Sequence, residues 1–209
     1  MINDYKSLVF YIKADRIMNG YEKSIKSIFF PNLIVSFLKA LRWCEYFHNV
    51  KQKTIIHNII LLPIHIYYKY MYEKLSYKLG FNIPINCIEY GVFLAHHGSC
   101  VINGASKIGP YCCIFNNVTL ADGNKKIIGS GCFISSNVVI AKQVSIANGV
   151  RIAANAFINK SINEENTLWA GIPSVCKKKY SNKWYENGIF HERYKKIERL
   201  KKYYNLQQL

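Results

Sequence analysis

From Ile102 onward, large aliphatic residues return at every sixth position. Ile102, Ile108, Ile114 and Leu120 are six apart, and after one step of eight the series resumes at Ile128 and runs through Ile134, Ile140, Ile146, Ile152 and Ile158. Four places after most of these stands a small or β-branched residue: Ser106, Cys112, Val118, Cys132, Val138, Val144, Val150 and Ala156. One place after them Gly, Ala or Ser recurs, as at Gly109, Gly129, Ser135, Ala141, Ala147 and Ala153. An amphipathic helix would need a period of 3.6 and a half-buried strand a period of 2. A unit of six with one large and one small inward residue instead describes one face of a triangular prism, with a turn at each corner. Three units close a coil of roughly eighteen residues, and coils stack as parallel strands about 4.8 Å apart.

Upstream the pattern is different. No glycine occurs between Gly20 and Gly80, and apolar and basic residues are mixed over long segments, a composition that predicts helices. Residues 1–79 therefore read as a helical N-terminal domain, with Pro31 near a helix start and Pro63 near a break or kink. Residues 80–176 form the solenoid domain, and 177–209 a basic C-terminal tail. In that tail Phe190, Tyr194, Ile197 and Leu200 fall at steps of four, three and three, one apolar helical stripe. The stripe suits a helix docked on its own assembly, or one lying on an anionic membrane face.

Charge and cysteines narrow the setting. A net charge of +16 over 209 residues attracts anions: an acidic surface, a polyanionic substrate or the phosphates of a cofactor. No nucleic-acid-binding motif accompanies it. The seven cysteines form no C-x-x-C pair and no zinc spacing, so no metal is expected and the thiols read as reduced, in a cytoplasmic protein. The most apolar stretch, Ile55 to Tyr72, is broken by His57, Asn58, Pro63, His65 and Lys69, too often for a bilayer span.

Departures from the period of six mark loops, and loops carry function. Leu94 to Ile102 is a step of eight that holds Ala95-His96-His97-Gly98-Ser99-Cys100. Leu120 to Ile128 is another, with Ala121-Asp122-Gly123-Asn124-Lys125-Lys126. Counting faces puts the two insertions at different corners of the prism, so they meet only if prisms pack side by side. A histidine in such a loop suits proton abstraction, since imidazole ordinarily titrates near about 6.5. Cys100, four residues after His96, is the rival nucleophile, although its place two before Ile102 is a core position.

The runs L-G-F-N-I-P-I-N from Leu79, L-A-H-H-G, V-I-N-G-A-S-K-I-G, N-K-S-I and A-G-I-P-S make residues 79 to 177 resemble the hexapeptide acyltransferases of the serine acetyltransferase type. They are most similar to relatives from capsule and O-antigen gene clusters. The resemblance implies a mainly β fold, a left-handed parallel β-helix with a helical N-terminal domain. It implies a homotrimer with active sites between subunits, acetyl-CoA as donor, and His96 as general base. Asn82 and His97 are candidate supports for that base. Asp122, Lys125 and Lys126 are candidate acceptor contacts. By the same resemblance the coenzyme lies along backbone amides of Ser136 and Ala154 and past Ala170-Gly171, with Arg151, Lys160 and Lys177 as phosphate partners. Serine acetyltransferases carry Asp immediately before the catalytic His and a second His in the later loop; here Ala95 and Lys125 stand there. The resemblance thus points to O-acetylation of a sugar hydroxyl in a bacterial surface polysaccharide or its precursor. Serine O-acetylation and a non-catalytic scaffold are the alternatives.

Overall fold

The computed structural model describes residues 1–21, 31–50, 55–121 and 124–206. Among the described residues three helices, α1 (Tyr5–Met18), α2 (Leu33–Asn49) and α3 (Ile55–Leu79), precede a solenoid. One sheet of the solenoid contains β1 (Phe81–Asn82), β3 (Cys100–Ile102), β6 (Val118–Leu120), β9 (Val139–Ile140) and β12 (Phe157–Ile158). A second contains β4 (Lys107–Ile108), β7 (Lys126–Ile128) and β10 (Val144–Ile146), prolonged at its two ends by bridges from Ile88 and Ile162. A third contains β2 (Phe93–Leu94), β5 (Cys113–Ile114), β8 (Phe133–Ile134), β11 (Arg151–Ile152) and β13 (Thr167–Ala170), to which β14 (Val175–Lys179) adds antiparallel. All other pairings are parallel, and the whole is a left-handed β-helix of about five coils.

The period of six becomes three buried columns, one per face. Ile102, Leu120, Ile140 and Ile158 stack in register on the first face, Ile108, Ile128 and Ile146 on the second, and Leu94, Ile114, Ile134 and Ile152 on the third. Every one is at most 3 % exposed, and each contributes roughly 1.5–3 kcal/mol through burial. The small inward positions Ser106, Cys112, Val118, Cys132, Val138, Val144, Val150 and Ala156 are buried beside them. Turning after two or three residues requires left-handed backbone, and asparagine supplies it at Asn117, Asn137 and Asn155, with φ of 57°, 60° and 60°. Their side chains form a ladder, Asn117 Nδ2 donating to Asn137 Oδ1 and Asn137 Nδ2 to Asn155 Oδ1, each at 3.0 Å.

The helices close the first coil. Phe37, Leu38 and Leu41 of α2 and Leu75 and Leu79 of α3 belong to the same core as the solenoid columns. Arg42, fully buried, pairs with Asp15 of α1 at 2.7 Å and Glu45 of α2 at 2.9 Å, and donates to the Ile88 and Glu89 carbonyls at 2.8 Å each. Asp15 in turn accepts from the Gly91 amide at 2.7 Å, so one buried ionic cluster joins both helices to the solenoid.

Pro31 precedes Asn32, which caps α2 by accepting from the Val35 amide at 3.1 Å. Pro63 does not end its helix: α3 runs through it. Pro63 itself is exposed.

The tail folds back on the third face. Phe190, Tyr194, Ile197 and Leu200 of α4 (Gly188–Tyr203) share a cluster with α1, Tyr90, Tyr111 and Tyr185. Phe190 meets Phe93 edge-on at 5.0 Å, and the Trp184 indole N–H donates to the Tyr111 carbonyl at 3.1 Å. The apolar stripe is thereby packed on the chain's own surface. The tail also opens with a strand, β14, that the helical reading did not include. Among the described residues no helix is long and apolar enough to cross a membrane.

Candidate active site

His96 lies at the corner between the third and first faces, where β2 gives way to β3. The loop is fixed by its backbone: Ala95 N–H donates to the Ile114 carbonyl at 3.0 Å, Gly98 N–H to Leu79 at 2.9 Å and Cys100 N–H to Gly80 at 3.0 Å. Gly98, with φ of 128°, is required here because a Cβ would lie 3.2 Å from the Cβ of Asn116. His96 is therefore an exposed side chain on a rigid support, its ring edge-to-face with Phe115 at 5.6 Å. Among the described residues neither His96 nor His97 makes a hydrogen bond. Asn82 is exposed on β1, with no hydrogen bond to His96.

Below His96 the same edge continues through Asn116, Ser136, Ala154 and Gly171. Asn137 N–H donates to the Asn116 carbonyl and Asn155 N–H to that of Ser136, at 3.2 and 3.1 Å, while Ser136 Oγ donates to Asn116 Oδ1 at 2.9 Å. The amides of Ser136 and Ala154 have no protein acceptor among the described residues. Their flanks are small, so an extended ligand can approach the backbone closely. Ala170 ends β13, and Gly171, with φ of 102°, accepts from the Phe157 amide at 3.1 Å. Four of the residues read from sequence, His96, Ser136, Ala154 and Gly171, thus fall on one line along the solenoid.

The cationic candidates disperse. Lys125 and Lys160 are exposed on the next corner, between the first and second faces, and Lys160 Nζ sits 5.4 Å over the Trp169 ring. Arg151 is held by the tail: its guanidinium stacks 3.8 Å over Tyr180 and Nη2 donates to the Asn182 carbonyl at 2.8 Å. Lys177 projects from β14 and is exposed. Lys126 is a correction. It occupies the small inward position two before Ile128, is fully buried and donates to the Asn124 carbonyl at 2.9 Å, so its ammonium is not offered to an acceptor. Asp122 lies outside the described residues.

Cys100 is buried, and burial pushes its thiol up to about 12, which leaves it no thiolate to attack with. Sequence reasoning passed over the asparagine ladder that builds this edge. Its signal was present as Asn117, Asn137 and Asn155, each followed directly by a small inward residue.

Residues 125–160 match the family model for the bacterial transferase hexapeptide (six repeats). Among solved structures the chain is similar to a serine O-acetyltransferase from Brucella melitensis, at 17 % identity over 83 % of this chain and 67 % of that one, with a TM-score of 0.59. It is similar to a serine acetyltransferase from Vibrio cholerae, at 15 % identity over 85 % and 68 %, TM-score 0.59. It also resembles a serine acetyltransferase solved in complex with CoA, at 16 % identity over 81 % and 68 %, TM-score 0.57. A search of curated protein sequences gave no match. At these identities the likeness concerns the fold. Residues 125–160 thus match the hexapeptide repeat of bacterial transferases, and the chain shares the fold of the serine acetyltransferases.

Proposed function

We propose that this protein is an acetyl-CoA-dependent O-acetyltransferase with His96 as general base, and that its acceptor is a sugar hydroxyl of a bacterial surface polysaccharide or a precursor of one. The observation that carries the reading is the shared edge: an exposed, rigidly supported imidazole stands in line with free backbone amides at Ser136 and Ala154. Those amides suit the repeated amide groups of pantetheine, and one structural neighbour was solved with CoA. Acetyl-CoA, when bound, supplies the thioester carbonyl that accepts the sugar oxygen. His96 takes the hydroxyl proton as the new C–O bond forms and returns it to the departing sulfur as the C–S bond breaks. The proton and the acetyl group are both accounted for without a covalent enzyme intermediate.

The third face is covered by the tail, which leaves the other two faces, and the corners carrying His96 and Lys125, for neighbouring prisms. A homotrimer would bring those corners together. Serine O-acetylation is the second reading, favoured by the names of the structural neighbours. Ala95 and Lys125 weigh against it, standing where serine acetyltransferases carry Asp and His.

Thiol release from acetyl-CoA, measured with L-serine and with a panel of sugars, separates the two: turnover with serine alone would overturn the glycan reading. His96→Ala should lower the rate by about two to four powers of ten with the fold intact. Near-normal turnover in that variant would overturn the mechanism, and no thiol release with any acceptor would favour a scaffold.

A further inference from the structure

Where α3 runs into β1, the two elements enclose a cleft of about 440 Å³ that the reading above does not use. Glu73, Ser76 and Tyr77 line it from α3, Gly80 and Asn82 from the β1 side. Its floor is rigid. Tyr72 stacks on Phe37 with ring centres 5.8 Å apart and donates from its hydroxyl to the Ile83 carbonyl at 2.8 Å, while Phe37 meets Phe81 edge-on at 5.2 Å. The small side chain of Ser76 and the bare Gly80 leave room between the two walls.

The cleft stands at the head of the catalytic edge. A Cβ on Gly80 would lie 3.1 Å from the carbonyl carbon of Gly98 in the His96 loop, and the Gly80 carbonyl accepts from the Cys100 amide at 3.0 Å. Asn82 pairs in register with Val101 on the adjoining strand. The cleft is therefore one coil from His96, on the side opposite Ser136, Ala154 and Gly171. A coenzyme laid along those amides reaches His96 from one end of the edge. Direct transfer needs the acceptor to be held at the same time, and the other end is where it finds room.

The lining suits an uncharged polyol. Glu73 and Tyr77 are both exposed and stand four apart on one face of α3. A carboxylate accepts from two hydroxyl groups, and a carboxamide such as that of Asn82 both donates and accepts. Tyr77 offers a ring face to the C–H groups of a sugar. Among the described lining residues Glu73 carries the one charge, which disfavours a phosphate or carboxylate in the same place, the carboxylate of serine included.

We propose that this cleft binds the acceptor as an uncharged sugar: Glu73 and Asn82 hold neighbouring hydroxyls, Tyr77 covers the ring, and a further hydroxyl is delivered to His96. The proposal rests on the acetyl-transfer reading for its purpose. Its test does not, because binding is read without turnover. Saturation-transfer NMR on the full chain with saturating CoA is the experiment, with the methyl glycosides of glucose, galactose, mannose and N-acetylglucosamine as probes and glucuronate as the charged comparison. At least one uncharged glycoside should bind, and more tightly than glucuronate. Glu73→Ala with Tyr77→Ala should weaken that binding at least tenfold; both positions are exposed and alanine favours helix, so the fold is kept. Asn82→Ala, on the other wall, is an independent variant and should weaken it several-fold. Lys74→Gln, on α3 but outside the lining, should leave it unchanged. Failure of all the glycosides to bind, tighter binding of glucuronate, unaltered binding by the cleft variants, or displacement of the glycoside by CoA would each overturn the proposal. A glycoside that binds in the cleft but releases no thiol from acetyl-CoA would leave the cleft and remove acetyl transfer. Sugar turnover with KM unchanged in the cleft variants would leave acetyl transfer and remove the cleft.

Discussion

Replacing Arg42 by Met removes the centre of the ionic cluster while keeping most of the side-chain volume. The guanidinium makes four short polar contacts, three of them fully buried, and its loss leaves Asp15 and Glu45 together in a desolvated site. Breaking one partner of a buried pair costs about 3–5 kcal/mol. The lower end applies here, because Asp15 keeps the Gly91 amide and Glu45 keeps the Asn86 amide, 2.7 and 2.8 Å away. For a chain of this length that corresponds to a fall of about 10 °C in Tm. The deficit should depend on pH with a definite sign. Burial pushes both carboxyls above the usual carboxylate range, and Arg42 pulls them back down. Without it their folded pKa values rise further above the unfolded values near about 4, so protonation stabilises the folded variant. That support is complete below the unfolded pKa and is lost as pH climbs through the raised folded values. Urea unfolding at fixed protein concentration, at pH 5 and pH 8, should therefore show the smaller deficit at pH 5. Combining Arg42→Met with Asp15→Asn and Glu45→Gln should recover part of the loss. A deficit that is the same at both pH values, or under about 1 kcal/mol, would refute the reasoning.

Cys100→Ala should retain near-full turnover in the thiol-release assay, since its buried sulfhydryl is not ionised; a large loss of rate would revive a covalent route. Ala154→Phe should raise the KM for acetyl-CoA several-fold with little change in Tm, because a ring there obstructs the edge beside His96 without entering the core. Asn137→Ala should cost about 1–2 kcal/mol through its left-handed φ and two lost ladder bonds, whereas Asn137→Gly should cost less, as compared by chemical denaturation. Mixing His96→Ala chains with Lys125→Glu chains, after each parent is shown inactive and exchange is confirmed, should restore activity if sites are shared between subunits; mixtures as inactive as the parents would refute sharing.

The solenoid was legible because its coils repeat a rule: each Ile of the six-residue series lands in a buried column, and the two eight-residue steps fall at different corners, as the strands on either side of them show. Lys126 defeated the same rule. Its charge made it read as part of the loop, yet a long aliphatic stem can fill an inward position while its tip reaches a carbonyl. The strand β14 was invisible because all five of its residues are exposed and leave no alternation to detect. Asp15, Arg42 and Glu45 gave no signal either, since nothing periodic relates residues brought together from separate helices.

A stack of parallel coils has, by construction, two raw ends at which a further coil from any molecule could pair. Here the first is covered by side chains of α2 and α3, and the third face of the last is covered by β14, which runs the opposite way and is exposed along its length. An antiparallel, charged terminus cannot template another parallel coil. On that face the repeat cannot be carried on by the next molecule, although the interior is built from a fibre-like repeat.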